Sequence, residues 1–377
     1  MRETQLSGAA RQHLRHALKL AARGRYRTSP NPMVGCVVAR GEQVISTGYH
    51  RRAGGPHAEV EALRQAGSRA RGATLYVTLE PCNHHGRTPP CTEAVIAAGI
   101  ARVVACHRDP NPAVAGGGFA RLRAAGIEVE SGLLVPEAVR LNWRFLAAAR
   151  YRRPAVTLKW AMSLDGRIAT AAGESQWISS PAGRRWGLEE RETHDAILVG
   201  SGTALADDPR LDRRLRRAGR PNVRVILDRR LRLSPAARLF TVPGEVLVYA
   251  RRGSPADNRR ALEARGATVV ELEKVEPAAV LADLFDRGVA SLLIEGGAEV
   301  AAAFVEARLF DRVAVDCAPI LIGGRTAPGP VGGAGIPRLA DALRLADLRL
   351  GRRGGDLLIT GFRDGCLPDL YASVGGS

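Results

Sequence analysis

Gly55-Pro56-His57-Ala58-Glu59-Val60-Glu61 and Pro81-Cys82-Asn83-His84-His85-Gly86-Arg87-Thr88-Pro89-Pro90-Cys91 bound the stretch on which this sequence turns. One imidazole and two thiolates can hold a zinc ion tetrahedrally and leave a fourth position for water. Pro56 suits the first turn of a helix, which puts His57 and Glu59 near a helix N-terminus. Thr74–Leu79 reads as a buried strand, Cys82 follows its end, and Cys91 opens the next helix. Two helix starts beside a strand end are the usual setting for a site in an open α/β sheet.

The order His-x-Glu, Pro-Cys, Cys is the working set of zinc-dependent base deamination. Zinc draws the pKa of its water toward neutrality. Glu59 is poorly placed to be a ligand but suited to take the water's proton and return it to the leaving amine. The plainer reading, a common dipeptide pattern and two buried thiols acting as small hydrophobes, explains each piece alone but not their order. In the common signature two residues separate the cysteines, whereas eight lie between Cys82 and Cys91.

Around this stretch the first half alternates helices and strands. Leu14, Ala17, Leu18 and Ala21 share one helical face over residues 8–23, with Ser7 as the cap and Gly24 after the end. Strands are expected at Met33–Ala39, Gln43–Tyr49, Arg102–Cys106 and 127–131, and helices to Gln65, from Cys91 to about Ala98, and at 119–125 and 135–149. Cys36 and Cys106 fall within strands and read as core, and His85 as a surface neighbour. Tyr151-Arg152-Arg153-Pro154 breaks the pattern, so a first domain is placed at 1–150 and a second at 154–363. Residues 364–377, ending Gly-Gly-Ser, read as a mobile tail.

Composition narrows the classes. A chain of 377 residues is long enough for two cores. No apolar run approaches the roughly 18 residues of a membrane span, and the start has no secretory pattern, which points to the cytoplasm. Six cysteines in such a chain read as thiols or ligands, not as a disulfide framework. The net charge of +17 raises nucleic acid as a partner, yet among 55 basic residues only Lys19, Lys159 and Lys274 are lysines. That skew suits arginines scattered over solvated surfaces, although Arg213, Arg214, Arg216, Arg217 and Arg220 cluster enough to serve a phosphorylated small molecule.

The second half is again α/β. Short Val/Ile/Leu strands are expected at Ala196–Gly200, Val223–Asp228, Val246–Ala250, Thr268–Leu272 and Ser291–Ile294, with helices at 256–265 and 277–287. Gly200-Ser201-Gly202 is followed by Leu205 where a third glycine should stand, so the dinucleotide fingerprint fails. Gly296-Gly297 before a helix offers bare backbone donors suited to a pyrophosphate, or simply makes a structural turn. Residues 320–337 read as a loop near the active face.

The spacer His84-His85-Gly86-Arg87-Thr88-Pro89-Pro90, with Ser29-Pro30-Asn31-Pro32-Met33-Val34-Gly35, Gly48-Tyr49-His50 and Asp109-Pro110-Asn111-Pro112, resembles the deaminase half of the bifunctional deaminase–reductase family of riboflavin biosynthesis. Val156–Ala169, Ser175–Ser179, His194–Gly200, Thr203–Leu211 and Leu293–Gly297 resemble its reductase half, which is similar to dihydrofolate reductase. The resemblance covers nearly the whole chain to about Phe362. It implies a cytidine-deaminase-like α/β/α layer followed by a dihydrofolate-reductase-like α/β domain, with zinc and NADPH as cofactors.

By the same resemblance His57, Cys82 and Cys91 hold the zinc, and Asn31 and His84 contact the pyrimidine or its ribosyl phosphate. Ala161, Trp177, Thr203, Asp207 and the Gly297-Ala298-Glu299 turn would lie beside the dinucleotide. Arg229 stands where the family often has a small polar residue, either favouring the extra phosphate of NADP or pointing away. Ser175, Arg191, Leu211, Arg214 and Glu295 would line the substrate site, the two arginines gripping a phosphate bidentately. Lys159 would polarise the ribose or steady a developing oxyanion, or else snorkel to solvent.

The expected activity is hydrolytic deamination of a diaminopyrimidinone ribosyl phosphate, then reduction of its ribosyl group to ribityl. The expected partner is this small phosphorylated pyrimidine, with no nucleic acid or membrane and with homo-oligomerisation left open. Two rivals remain. A zinc deaminase acting on nucleic-acid bases should show stacking aromatics among its basic residues, but aromatics are 5% of the chain. A non-catalytic zinc scaffold should show a fourth ligand, for which His84 is the best candidate.

Overall fold

A computed structural model describes residues 2–84, 89–111, 115–215, 217 and 219–375. The chain divides into two compact units, the first comprising residues 1–151 and 367–377 and the second residues 152–366. His85, Arg87 and Arg216 lie outside the described residues. Among the described residues no helix is long and apolar enough to cross a membrane.

The first unit runs α1 (Arg2–Ala21), β1 (Gly35–Arg40), β2 (Gln43–Tyr49), α2 (Ala58–Ala66), β3 (Thr74–Val77), α3 (Cys91–Ala97), β4 (Arg102–Ala105), α4 (Gly117–Ala124), β5 (Glu128–Ser131) and α5 (Val135–Tyr151). Its strands order as β2-β1-β3-β4-β5. β1 pairs antiparallel with β2 and β3, and β3, β4 and β5 run parallel. The central strands are buried on both faces, which is why they read as continuous apolar runs. One face carries Ala62, Val77, Val95 and Phe119, and the other carries Leu14, Val37, Val104 and Ala138. Gly48 on β2 lets α2 come close, because a β-carbon there would collide with the carbonyl of Ala58. The helix that carries His57 and Glu59 is thereby seated on the sheet at its first turn.

The second unit runs β6 (Ala155–Ser163), α6 (Pro181–Glu192), β7 (Ala196–Gly200), α7 (Ser201–Asp207), β8 (Val223–Leu227), β9 (Val246–Arg251), α8 (Ala256–Ala264), β10 (Ala267–Leu272), α9 (Pro277–Asp286), β11 (Ser291–Ile294), α10 (Ala298–Glu306), β12 (Arg312–Ala318), β13 (Leu345–Arg353) and β14 (Asp356–Arg363). These strands form one sheet in the order β10-β9-β8-β7-β11-β6-β12-β14-β13. It is parallel from β10 to β12, and β14 then pairs antiparallel with both β12 and β13. The two α/β units of the expected fold class are thus present.

Two expectations change. Helix α1 starts at Arg2, so Ser7 lies inside it and not at its cap. Residues expected to form a mobile tail instead make α11 (Cys366–Ser373). Its Leu367 and Leu370, and Val374 just beyond, are buried, and Asp369 accepts a hydrogen bond from the Tyr151 hydroxyl at 3.2 Å. Spaced at i, i+3 and i+7, these apolar residues give the segment one face to bury, which holds it in place despite its glycines.

Candidate functional site

His57 stands in extended conformation immediately before α2, so Glu59 falls in the first helical turn. Cys82 follows the end of β3, and Cys91 is the first residue of α3. Cys82 is tied directly to the start of α3: the Cys91 amide donates to Cys82 Sγ at 3.4 Å and the Thr92 amide to the Cys82 carbonyl at 3.2 Å. The Thr92 hydroxyl also donates to Asn83 at 2.9 Å. Amide donors at a helix N-terminus favour a thiolate.

His57 Nδ1 lies 3.0 Å from Cys91 Sγ and 3.5 Å from Cys82 Sγ, and all three donor atoms fall within 4.8 Å of one another. Donors bound about 2.0–2.3 Å from one tetrahedral metal ion stand roughly 3.5 Å apart, so this nitrogen and two sulfurs fit zinc. The hydrogen bond from the Cys91 thiol, and then that from His57, hold the Cys82 thiol well below its usual range, while the same hydrogen bond and burial raise the Cys91 thiol. The hydrogen bond to Cys82 likewise raises His57.

Glu59 is buried, and its Oε2 has no hydrogen-bond partner. Burial, and after it the charge on Cys82, push its carboxyl up to about 7. A carboxyl with one unsatisfied oxygen beside three metal donors is equipped to pass a proton at neutral pH.

Asn31 joins the group through His50. Its amide lies 3.3 Å from His50 Nε2, while His50 Nδ1 bonds the Pro56 carbonyl at 3.0 Å. The His50 ring meets the His57 ring edge-on at 5.4 Å. This pattern fits a neutral ring that donates from Nδ1 and accepts at Nε2, and burial lowers its pKa accordingly. His84 is exposed, near enough to Asp109 to act on its carboxyl. The described donors form a three-ligand group that does not include His84. Sequence reasoning passed over Glu80, whose carboxylate accepts from the amides of Asp109, Gly116 and Phe119 at 2.9–3.0 Å. It fastens the loop before α4 next to Pro81 and Cys82. Its position one residue ahead of Pro-Cys was the available signal.

In the second unit Arg191 near the end of α6 and Glu295 just past β11 form a close pair, with Nε 2.8 Å and a terminal nitrogen 2.6 Å from Oε2. Another arm of Arg191 reaches the Asp212 carbonyl at 3.3 Å. The guanidinium expected to grip a phosphate bidentately is therefore engaged within the protein. Burial pushes the Glu295 carboxyl up, but Arg191, Lys159 and Arg214 outweigh it and hold it below its usual range. Arg214 is half exposed and bonds Asp212 at 3.1 Å. Lys159 Nζ lies 3.1 Å from where a β-carbon on Gly187 would stand, so it is packed beneath α6 and does not snorkel freely.

Thr203 on α7 sits against the glycine turn, its hydroxyl 3.0 Å from a β-carbon placed on Gly296. Gly297 has φ +76°, which glycine adopts readily, and it precedes Ala298 and Glu299 at the start of α10. Ala161 on β6 pairs with Asp316 of β12. Ser175 and Trp177 share the loop before α6, with Trp177 67% exposed under the Arg184 guanidinium at 4.7 Å. Leu211 is buried, and its carbonyl accepts from Asn222 at 2.8 Å. Asp207 ends α7, and Arg229 stands exposed after β8, with no ion pair among the described residues. Asp165 fastens the 320–337 loop by accepting from the amides of Ile322 and Gly323 at 3.1 and 2.7 Å, and the Gly332 amide bonds the Ala298 carbonyl at 3.0 Å.

The basic cluster is largely consumed by the fold. Arg213 donates to the carbonyls of Arg191, His194 and Arg220, and Arg220 pairs with buried Asp195 at 2.5 Å. The Leu215 and Arg217 amides both bond the buried Glu192 carboxylate.

Residues 8–107 match the family described as the cytidine and deoxycytidylate deaminase zinc-binding region, and residues 154–359 match the RibD C-terminal domain. The riboflavin biosynthesis protein RibD of Bacillus amyloliquefaciens is 43% identical over 351 residues, covering 92% of this chain and 95% of that protein. The Escherichia coli K12 protein of the same name is 44% identical, covering 88% and 93%. A solved structure of Acinetobacter baumannii RibD superposes with a TM-score of 0.87 at 40% identity, covering 95% of this chain and 99% of that one. A Thermotoga maritima structure described as a diaminohydroxyphosphoribosylaminopyrimidine deaminase/5-amino-6-(5-phosphoribosylamino)uracil reductase gives 0.80 at 35% identity with the same coverage.

Site and matches together define a class, a zinc-dependent deaminase and a reductase carried on one chain. Within that class the chain belongs to the RibD family of riboflavin biosynthesis, and it is a bifunctional enzyme whose cofactors are zinc and NADPH.

Proposed function

We propose that the first unit removes an amino group, as ammonia, from a diaminopyrimidinone ribosyl phosphate, and that the second reduces the ribosyl group of the product to ribityl. The observation that carries this is the convergence of His57 Nδ1, Cys82 Sγ and Cys91 Sγ beside the unsatisfied Oε2 of Glu59. The Thermotoga maritima relative, whose description names both reactions, supports the choice of substrate.

His57, Cys82 and Cys91 hold the zinc, and when bound it supplies the Lewis acidity that makes water nucleophilic near neutral pH. Glu59 Oε2 takes the proton of the attacking water and returns it to the departing amine. Asn31, steadied by His50, and His84, at the exposed edge, hold the pyrimidine and its ribosyl phosphate.

In the second unit NADPH supplies a hydride when bound. The backbone at Gly297, Ala298 and Glu299 receives its pyrophosphate at the start of α10. Ala161, Trp177, Thr203 and Asp207 line the rest of the dinucleotide, with Arg229 toward its extra phosphate. Glu295, held ionised by Arg191, and Lys159 address the ribose, while Ser175, Leu211 and Arg214 complete the substrate site. With the Arg191 fork engaged by Glu295, the substrate phosphate falls to Arg214, which is half exposed. The interior bonding of Arg213 and Arg220 supports a small-molecule substrate over nucleic acid.

The test is a coupled assay with the diaminopyrimidinone ribosyl phosphate, with and without NADPH, following ammonia and NADPH together. Ammonia in both tubes, with NADPH consumed in the second, is expected. No ammonia from zinc-loaded protein would overturn the substrate assignment.

A further inference from the structure

Beneath α6 lies a polar cluster that the roles above leave unused. In the sheet register Asp316 of β12 pairs with Ala161 of β6 and Leu358 of β14. Strand alternation then puts Lys159, Ala161, Asp316 and Asp356 on one face. α6 covers that face through two glycines one turn apart. A β-carbon on Gly183 would collide with Oδ2 of both Asp316 and Asp356, and one on Gly187 would press on Lys159 Nζ. The two carboxyls therefore meet under Gly183, with the ammonium a turn further along.

Their surroundings differ. Asp356 Oδ2 accepts from the Ser180 amide at 2.8 Å and the Ser180 hydroxyl at 2.6 Å, where Ser180 caps α6. Asp316 is 1% exposed, and neither of its carboxyl oxygens has a well-formed hydrogen bond, although the Ser179 side chain lies close enough to favour its charged form and Asp356 close enough to share a proton. The charged groups facing it are Asp356 from β14 and Lys159 from β6, with Glu295 beyond Lys159. Arg184 of α6 is turned instead to the Ser179 carbonyl and the Trp177 ring. Two buried carboxyls in contact cannot both ionise at low cost. One proton on Asp316, donated to Asp356, satisfies the orphaned group and leaves a single charge on the Ser180 cap. Burial, and then the Asp356 charge, push the Asp316 carboxyl up, which agrees.

We propose that Asp316 and Asp356 share one proton and that this pair recharges Lys159 during the reductive half-reaction. The inference rests on the reductase reading above. In that step the bond from the anomeric carbon to the ring oxygen breaks with its electron pair going to oxygen. The carbon accepts a hydride as NADPH is oxidised to NADP⁺, and the oxygen takes a proton from Lys159. The proton of Asp316 then reaches the neutral amine through an intervening water, the two groups standing a helical turn apart under Gly183 and Gly187, and one proton from solvent restores the pair. Lys159 is the residue that touches substrate; Asp316 acts through it.

Asp316→Asn separates this role from packing, because the amide keeps the shape and can still donate to Asp356 but has no proton to give. The first measurement is infrared spectroscopy of the full-length protein without cofactor. In a Glu59→Gln background, which removes the first-unit carboxyl that also holds a proton near neutral pH, a protonated-carboxyl band at neutral pH that disappears when Asp316→Asn is added is expected; no band in that background would mean both groups are ionised and overturn the proposal. The band of Glu59→Gln alone, followed with pH, decides this point even if the double variant folds poorly. The second measurement is reduction. Asp316→Asn should keep the NADPH KM and ammonia release while the kcat for reduction falls on the order of 100-fold, and Asp316→Glu should recover much of it. An active wild type matched by Asp316→Asn would overturn the relay and leave the reductase reading standing. A wild type that consumes no NADPH would overturn both.

Discussion

The two candidate sites are built on opposite plans. In the first unit the proposed metal donors and the carboxylate proposed to transfer the proton all come from residues 57–91, carried by two helix starts and one post-strand turn. In the second, Lys159, Arg191, Arg214 and Glu295 come from four separated segments that only the sheet order β11-β6-β12 and the placement of α6 bring near one another. A metal site needs three donors at fixed distances from one point, and short rigid connections supply that. A cleft for a dinucleotide and a sugar phosphate needs area, which no short stretch provides. The first plan should fail abruptly when one residue is lost, and the second by degrees.

The sharpest break in that comparison is Glu59→Ala. Ammonia release should fall by about 10²–10⁴-fold, the usual contribution of a positioned acid–base group. Zinc content by elemental analysis should stay as in the wild type, and NADPH oxidation with the deaminated substrate should be untouched. Loss of zinc along with activity would remove Glu59 from the role of proton shuttle. Cys82→Ser comes next: the variant should lose most of its zinc and with it deamination, while the second unit still consumes NADPH. Unchanged metal content would overturn the ligand assignment.

Arg191→Ala probes the graded plan. Reduction should weaken by about 10–100-fold in kcat/KM, with ammonia release unchanged. Glu295 would also be left buried without its partner, which costs about 3–5 kcal/mol in comparable pairs. A denaturant titration should therefore show the second unit unfolding earlier than in the wild type. Equal loss of both reactions would argue against two separate sites.

The same contrast governs what could be read from the sequence. His57, Glu59, Cys82 and Cys91 were legible because their spacing is itself the geometry, once Pro56 and Thr74–Leu79 fix a helix start and a strand end. Strands of continuous Val, Ile and Leu, such as Ala196–Gly200, were equally clear. β12, β13 and β14 were not. β12 carries Asp316 in the middle of an apolar run, and β13 is an edge strand rich in Arg whose residues from Leu348 to Arg353 are exposed on both faces. α6 had a signal that went unused, Ser180 before Pro181, a cap followed by proline in the first turn. In α11 the terminal glycines outweighed the i, i+3, i+7 spacing of Leu367, Leu370 and Val374. The pairing of Asp316 with Asp356 could not have been read at all, since it exists only once β12 and β14 are in register and α6 lies over them.

The smallest expected effect is the one that tests whether charge alone makes a site. Arg217 belongs by sequence to the same basic run as Arg214. Yet its amide is bound to Glu192, and its guanidinium stands 3.9 Å from Glu189, partly exposed at the surface. An exposed pair at that distance contributes roughly 0–1 kcal/mol and is screened by salt. Arg217→Ala should therefore leave both reactions within about twofold of the wild type and shift stability by less than about 1 kcal/mol. Arg214→Ala should raise the KM for the phosphorylated substrate roughly tenfold, by the loss of one phosphate contact of about 1.5 kcal/mol. A larger effect at Arg217 than at Arg214, measured side by side at two salt concentrations, would mean that the phosphate is drawn by the field of the whole cluster. The second site would then be more diffuse than its contacts suggest, and its contrast with the compact zinc site would widen.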